Sequence, residues 1–102
     1  MKPARKESLK VGDYFVEGTN PNGTGYYGKA SIAQEWDGYE VTWVIGGQRH
    51  FGRGEISGSS LYIKWGYSHE ALNRLVTYSI GEHGILKGVW ADGKDTETLI
   101  PK

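Results

Sequence analysis

The chain contains no cysteine. Disulfides and thiolate metal sites are therefore excluded, and the fold must rest on packing and hydrogen bonds alone. No window of 18 apolar residues occurs, so no segment is expected to cross a bilayer as a helix. No apolar stretch follows the basic residues near the start, so no intact signal peptide is visible. Two compartments stay open on this reading: the cytoplasm, or a periplasmic or secreted location reached with a leader since removed. Net charge is also absent, with 12 basic against 12 acidic side chains. The balance is uneven along the chain. Lys2, Arg5, Lys6 and Lys10 stand against Glu7 in residues 1–10, which are expected to form a flexible basic segment. The rest of the chain is then net acidic, a poor match for a phosphate backbone, and nucleic acid is not an expected partner.

Recognisable catalytic patterns are missing as well. There is no Gly-x-Ser-x-Gly elbow, no His-Glu-x-x-His and no cysteine nucleophile. His50, His69 and His83 are not at metal-ligand spacing from one another. Neither a metal nor a cofactor is expected, and no catalytic residue is assigned.

What the chain has in abundance is glycine and aromatic rings: 16 Gly, 7 Tyr, 4 Trp and 2 Phe in 102 residues. They cluster. Gly25-Tyr26-Tyr27-Gly28 leads to Tyr39-x-Val41-x-Trp43, and Phe51-Gly52-Arg53-Gly54 leads to Leu61-x-Ile63-x-Trp65. A third cluster is Leu86-Lys87-Gly88-Val89-Trp90. With stretches of period two, this composition predicts an all-β domain over residues 11–102. Eight strands are expected: Asp13–Gly18, Tyr26–Gln34, Tyr39–Ile45, Gln48–Glu55, Ser60–Trp65, Arg74–Ile80, Ile85–Ala91 and Thr96–Ile100. Trp36-Asp37-Gly38 and Gly46-Gly47 are hairpin turns. The longest connection is Gly66–Asn73, where Ser68 is expected to cap one helical turn over Ser68–Leu72. Short loops join antiparallel neighbours, and eight strands in a meander leave two raw edges unless the sheet closes. The expected architecture is therefore an eight-stranded antiparallel up-and-down (meander) barrel, avidin- or lipocalin-like in form. Gly28, Gly52, Gly54 and Gly88 fall inside strands, where a closing wall must bend or a ring must lie on backbone. Tyr26, Tyr27, Phe51 and Trp90 are the rings expected to cover them.

Several runs resemble a family of small exported bacterial proteins often labelled "fibronectin-binding protein". They are Gly18-Thr19-Asn20-Pro21-Asn22-Gly23-Thr24, Tyr27-Gly28 with Ile32, Tyr39-x-Val41-x-Trp43-x-Ile45-Gly46-Gly47-Gln48, Leu86-x-Gly88-x-Trp90 and Thr96-Glu97-Thr98-Leu99. The resemblance spans roughly residues 11–101 and implies an exported protein with a protein partner. It transfers no binding motif residue by residue. The lipocalin Gly-x-Trp near the first strand is replaced here by Gly12-Asp13-Tyr14.

The candidate functional residues are few. Trp43, Trp65 and Trp90 lie on inward positions near strand ends. Filling a small barrel is the simpler reading of them, and lining a ligand pocket is the alternative. Glu97 faces inward if Thr96 and Thr98 face out, and a buried carboxylate needs a partner, for which Arg53 or Arg74 is available. That pair either closes the barrel or anchors a ligand head group. Trp36 sits in a turn and is the candidate contact for a protein partner. The Asn22-Gly23-Thr24 sequon is read as a turn. Three functions compete: a non-enzymatic binding module for a protein or small apolar ligand, a structural domain without ligand, and a small lumen enzyme with Glu97 or His50 as acid or base. Oligomeric state has no signature in the sequence.

Overall fold

The computed structural model describes residues 9–90, 93 and 95–102. Most of the basic segment, and Ala91, Asp92 and Lys94 of the last turn, lie outside the described residues. Eight strands follow in order: β1 (Gly12–Thr19), β2 (Gly25–Glu35), β3 (Gly38–Ile45), β4 (Gln48–Ser57), β5 (Ser60–Gly66), β6 (Arg74–Ile80), β7 (Leu86–Trp90) and β8 (Asp95–Pro101). Each pairs antiparallel with its neighbour in sequence, and β1 pairs with β8 to close the barrel. The closing ladder sets Val16 opposite Leu99 and Gly18 opposite Glu97. Closure leaves no raw sheet edge.

Alternation decides which side chains point in. On β3, Val41 and Trp43 are buried while Val44 is exposed. On β5, Leu61 and Ile63 are buried and Tyr62 is exposed. On β8, Glu97 and Leu99 are buried while Thr96 is exposed. Gly46 and Gly47 both have positive φ, 60° and 79°, which matches the twist of the strands they join. The β2–β3 reversal rests on Trp36-Asp37, and Gly38 already pairs with Glu35.

The helical turn expected over Ser68–Leu72 does not form. The loop holds a single turn in which the Ala71 amide donates to the Ser68 carbonyl at 3.1 Å. Five residues cannot repay helix nucleation, and ring contacts hold this segment against β4 instead. His69 lies 4.0 Å from Phe51 and Tyr67 lies 4.9 Å from His50, centroid to centroid. Of the four strand glycines, Gly52 and Gly88 receive rings, from other residues than expected, while Gly28 and Gly54 lie against backbone and isoleucine carbons of the neighbouring strands. Trp43 lies on Gly52, where an added Cβ would come within 2.8 Å of the indole. Tyr78 lies on Gly88, where the corresponding distance is 2.6 Å. Tyr27 is exposed, and Phe51 faces His69.

The barrel has two unlike ends. The β2–β3, β4–β5 and β6–β7 connections meet Leu9, Lys10 and Lys102 at one end. Here Tyr14, Ile32, Leu61, Ile80, Leu86 and Leu99 pack into a closed apolar core, with Leu9 against it. The Tyr14 hydroxyl donates to the Lys10 carbonyl. The β1–β2, β3–β4, β5–β6 and β7–β8 connections surround the other end, where the inward residues are larger and more polar.

Candidate functional site

Glu97 is the centre of that second end. It is 6% exposed, and its carboxylate is held by three donors from three strands. The Tyr26 hydroxyl on β2 donates to Oε1 at 2.6 Å. The Trp43 indole on β3 donates to Oε2 at 3.0 Å. The Tyr78 hydroxyl on β6 also donates to Oε2 and lies 3.2 Å from the Trp43 nitrogen.

The register explains how distant strands reach one carboxylate. Glu97 is flanked by Gly18 on β1 and by Gly88 on β7. Gly18 in turn pairs with Tyr26, and Gly88 with Tyr78. Each tyrosine therefore reaches over a glycine to bond Glu97. A Cβ on Gly18 would lie 2.3 Å from the Tyr26 ring, and one on Gly88 would lie 2.6 Å from the Tyr78 ring. Neither distance is tolerable, so the glycines are a condition of the network.

Burial pushes the Glu97 carboxyl above its ordinary range, and the three donors pull against that shift without cancelling it. Burial, followed by the adjacent carboxylate, drives the Tyr26 and Tyr78 phenols upward, so both remain protonated donors.

Above this floor lies a cavity of about 200 Å³. Its walls are rings in edge-to-face contact: Tyr26 with Trp90 at 6.4 Å, Trp90 with Trp65 at 6.3 Å, and Trp65 with Trp43 at 6.4 Å. Arg74 stands 5.4 Å from the Trp65 ring centroid and 5.3 Å from that of Tyr67. His50 packs edge-on to Trp65, and burial followed by the Arg74 charge lowers its pKa. Asn20 from the β1–β2 loop completes the lining. That loop is internally bonded, Asn20 N to Thr24 O and Gly23 N to Asn20 O, both at 2.8 Å. Among the described residues, His50 Nδ1 and Trp90 Nε1 are buried without a hydrogen-bond partner.

Trp43, Trp65, Trp90 and Glu97 are thus brought together at one cavity. The three tryptophans are not equivalent. Trp43 is 3% exposed and belongs to the core, while Trp65 and Trp90 are half-buried. Trp36 is 98% exposed and sits at the opposite end. Neither expected arginine partners Glu97. Arg53 points outward and pairs with Asp37 at 3.3 Å, and Arg74 stacks on the rings. The guanidinium on Arg74 lies higher in the cavity than the carboxylate network, and neutral donors fill the place assigned to it. Sequence reasoning also missed Tyr26, Tyr78 and Asn20 as site residues. A signal was present: glycines stand at both cross-strand neighbours of Glu97.

No family model matches the chain, and no curated protein does either. Solved structures do. A redesigned β-barrel, mFAP0, bound to DFHBI, aligns with a TM-score of 0.63 at 19% identity, covering 92% of this chain and 100% of that one. A second redesigned β-barrel, b11L5F_LGL, aligns with a TM-score of 0.57 at 19% identity, covering 90% of each chain. The likeness is one of fold: a closed, all-antiparallel eight-stranded up-and-down barrel.

Proposed function

We propose that this chain is a non-enzymatic binding barrel whose ligand is a compact aromatic molecule seated against Trp65, Trp90 and Tyr26. The observation that carries this reading is the cavity of about 200 Å³, walled by rings and floored by one buried carboxylate. Apolar walls with a few convergent polar groups are the usual form of a small-molecule site. The size favours a one- or two-ring molecule, since a dry cavity of about 150 Å³ already accepts benzene. The enzyme alternative is weaker. Glu97 is committed to three donors, so its geometry suits holding a charge better than passing a proton. The ligand of mFAP0 adds support by analogy of fold, since a barrel of this form accommodates DFHBI.

The test uses the four indole N–H resonances. Titration with indole, and separately with DFHBI, is expected to shift the Trp43, Trp65 and Trp90 signals saturably and to leave Trp36 unmoved. Absence of saturable shifts below about 1 mM, which corresponds to about −4.1 kcal/mol, would overturn the reading.

A second reading rests on Trp36. A fully exposed tryptophan at a turn is a natural anchor for a protein partner, and the resemblance to fibronectin-binding proteins names fibronectin as the first partner to try. Saturable binding of purified fibronectin, lost in Trp36→Ala, is the expected result. Binding that survives this substitution would remove Trp36 from the account.

A further inference from the structure

We propose that the ligand is an aromatic amine bound as its cation, with the ammonium group against Glu97 and the ring against Trp65 and Trp90. This rests on the cavity being a ligand site. It is argued from what the floor lacks. Glu97 is a buried carboxylate with no basic partner among the described residues, where the one ion pair is Arg53 with Asp37. Buried carboxylates are normally matched by an opposite charge, because neutral donors offset only part of the lost hydration. Arg74 lines the same cavity but is stacked on Trp65 and Tyr67.

The hydrogen-bonding inventory points the same way. An ionised carboxylate offers about four acceptor directions. Trp43 and Tyr78 occupy two on Oε2, while Oε1 receives Tyr26 alone. The Tyr26 proton is spent on Glu97, which leaves its oxygen only an accepting role. The indole N–H of Trp43 and the hydroxyl of Tyr78 are likewise spent. The three donors that touch Glu97 are therefore committed to it, and the indole N–H of Trp90, unpartnered among the described residues, lies on the cavity wall. Aromatic faces complete the match, since a cation is attracted to the rings that enclose it. An anion at the floor would lie against the Glu97 carboxylate, and a neutral ring would leave that carboxylate without an opposite charge.

The experiment compares three probes of one shape, tryptamine, indole and indole-3-acetate, by calorimetry and by the indole N–H shifts. Tryptamine is expected to bind at least about tenfold tighter than indole, a difference of about 1.4 kcal/mol, with indole-3-acetate weakest. In Glu97→Gln the ratio of tryptamine to indole affinity should shrink to about twofold or less. The order of the three probes on the unaltered protein decides the matter even where that variant does not fold. Equal binding of tryptamine and indole, a tighter indole-3-acetate, or a preference untouched by Glu97→Gln would overturn the proposal. Failure of all three probes would remove both the proposal and the ligand-binding reading beneath it.

Discussion

The two ends of the barrel are made from the same strands and behave as different materials. At the closed end, β5, β7 and β8 contribute Leu61, Leu86 and Leu99, each fully buried and free of side-chain polar atoms. A few residues further along the same strands, the inward positions are Trp65, Trp90 and Glu97. The first set gains its stability by excluding water. The second accepts a buried charge, half-buried rings and unpartnered ring nitrogens, all of which cost stability unless something else answers them. The contrast teaches that this chain separates its aliphatic core from its polar and partly open positions along the barrel axis, not around it.

Four substitutions sharpen or break that division, in order of expected effect. Leu61→Ala at the closed end should cost about 2–5 kcal/mol in urea unfolding, as removal of a fully buried leucine does. A cost under about 1 kcal/mol would mean the aliphatic end is not the main source of stability. Gly88→Ala pushes a methyl into the Tyr78 ring and should cost about 1–3 kcal/mol, with loss of the Tyr78–Glu97 bond visible as a changed phenol resonance. An unchanged resonance would show that the ring does not depend on the glycine.

Glu97→Gln acts through pH. The folded carboxyl is raised above its ordinary 4.5, so above that value the native state keeps a proton that the unfolded chain has already released. Stability contributed by Glu97 is therefore full at low pH and falls as pH rises through the window from 4.5 to the folded value. The opposite sign belongs to His50, whose folded pKa is lowered from 6.5, so its contribution is lost as pH falls below that value. Glu97→Gln removes only the first. The stability difference, variant minus parent, should thus grow from about pH 4 to about pH 7, measured as urea midpoints. A flat difference would show that Glu97 titrates normally. Trp36→Ala, far from both the core and the cavity, should change stability by no more than about 0.5 kcal/mol. A larger loss would make Trp36 part of the packing.

Most of the fold could be read from the sequence, because alternation and turn chemistry are local. Tyr39–Ile45 and Arg74–Ile80 were identifiable from period-two patterning, and Gly46-Gly47 from its freedom at positive φ. The inward direction of Glu97 followed from Thr96 and Thr98 beside it. Its partners did not follow. Charge complementarity pointed to Arg53 or Arg74, whereas Tyr26 and Tyr78 sit two strands away on either side and meet it only because Gly18 and Gly88 lie between. That relation depends on the register of four ladders at once. The unequal burial of Trp43, Trp65 and Trp90 depends on height along a tilted barrel, a quantity that alternation does not encode. The loop after Gly66 misled for a related reason: local capping chemistry favoured a helical turn, and contacts from Tyr67 and His69 to β4 overrode it.

The closed end also holds both chain ends of the described barrel. Lys10 and Pro101 both approach Gly84, and the Lys102 amide donates to the Asp13 carbonyl at 3.1 Å. The mouth of the cavity lined by Trp65 and Trp90 is at the opposite end. A partner protein, bead or surface joined to either end of the barrel would therefore sit behind the cavity, so the molecule can be displayed in a dense layer with every mouth facing outward.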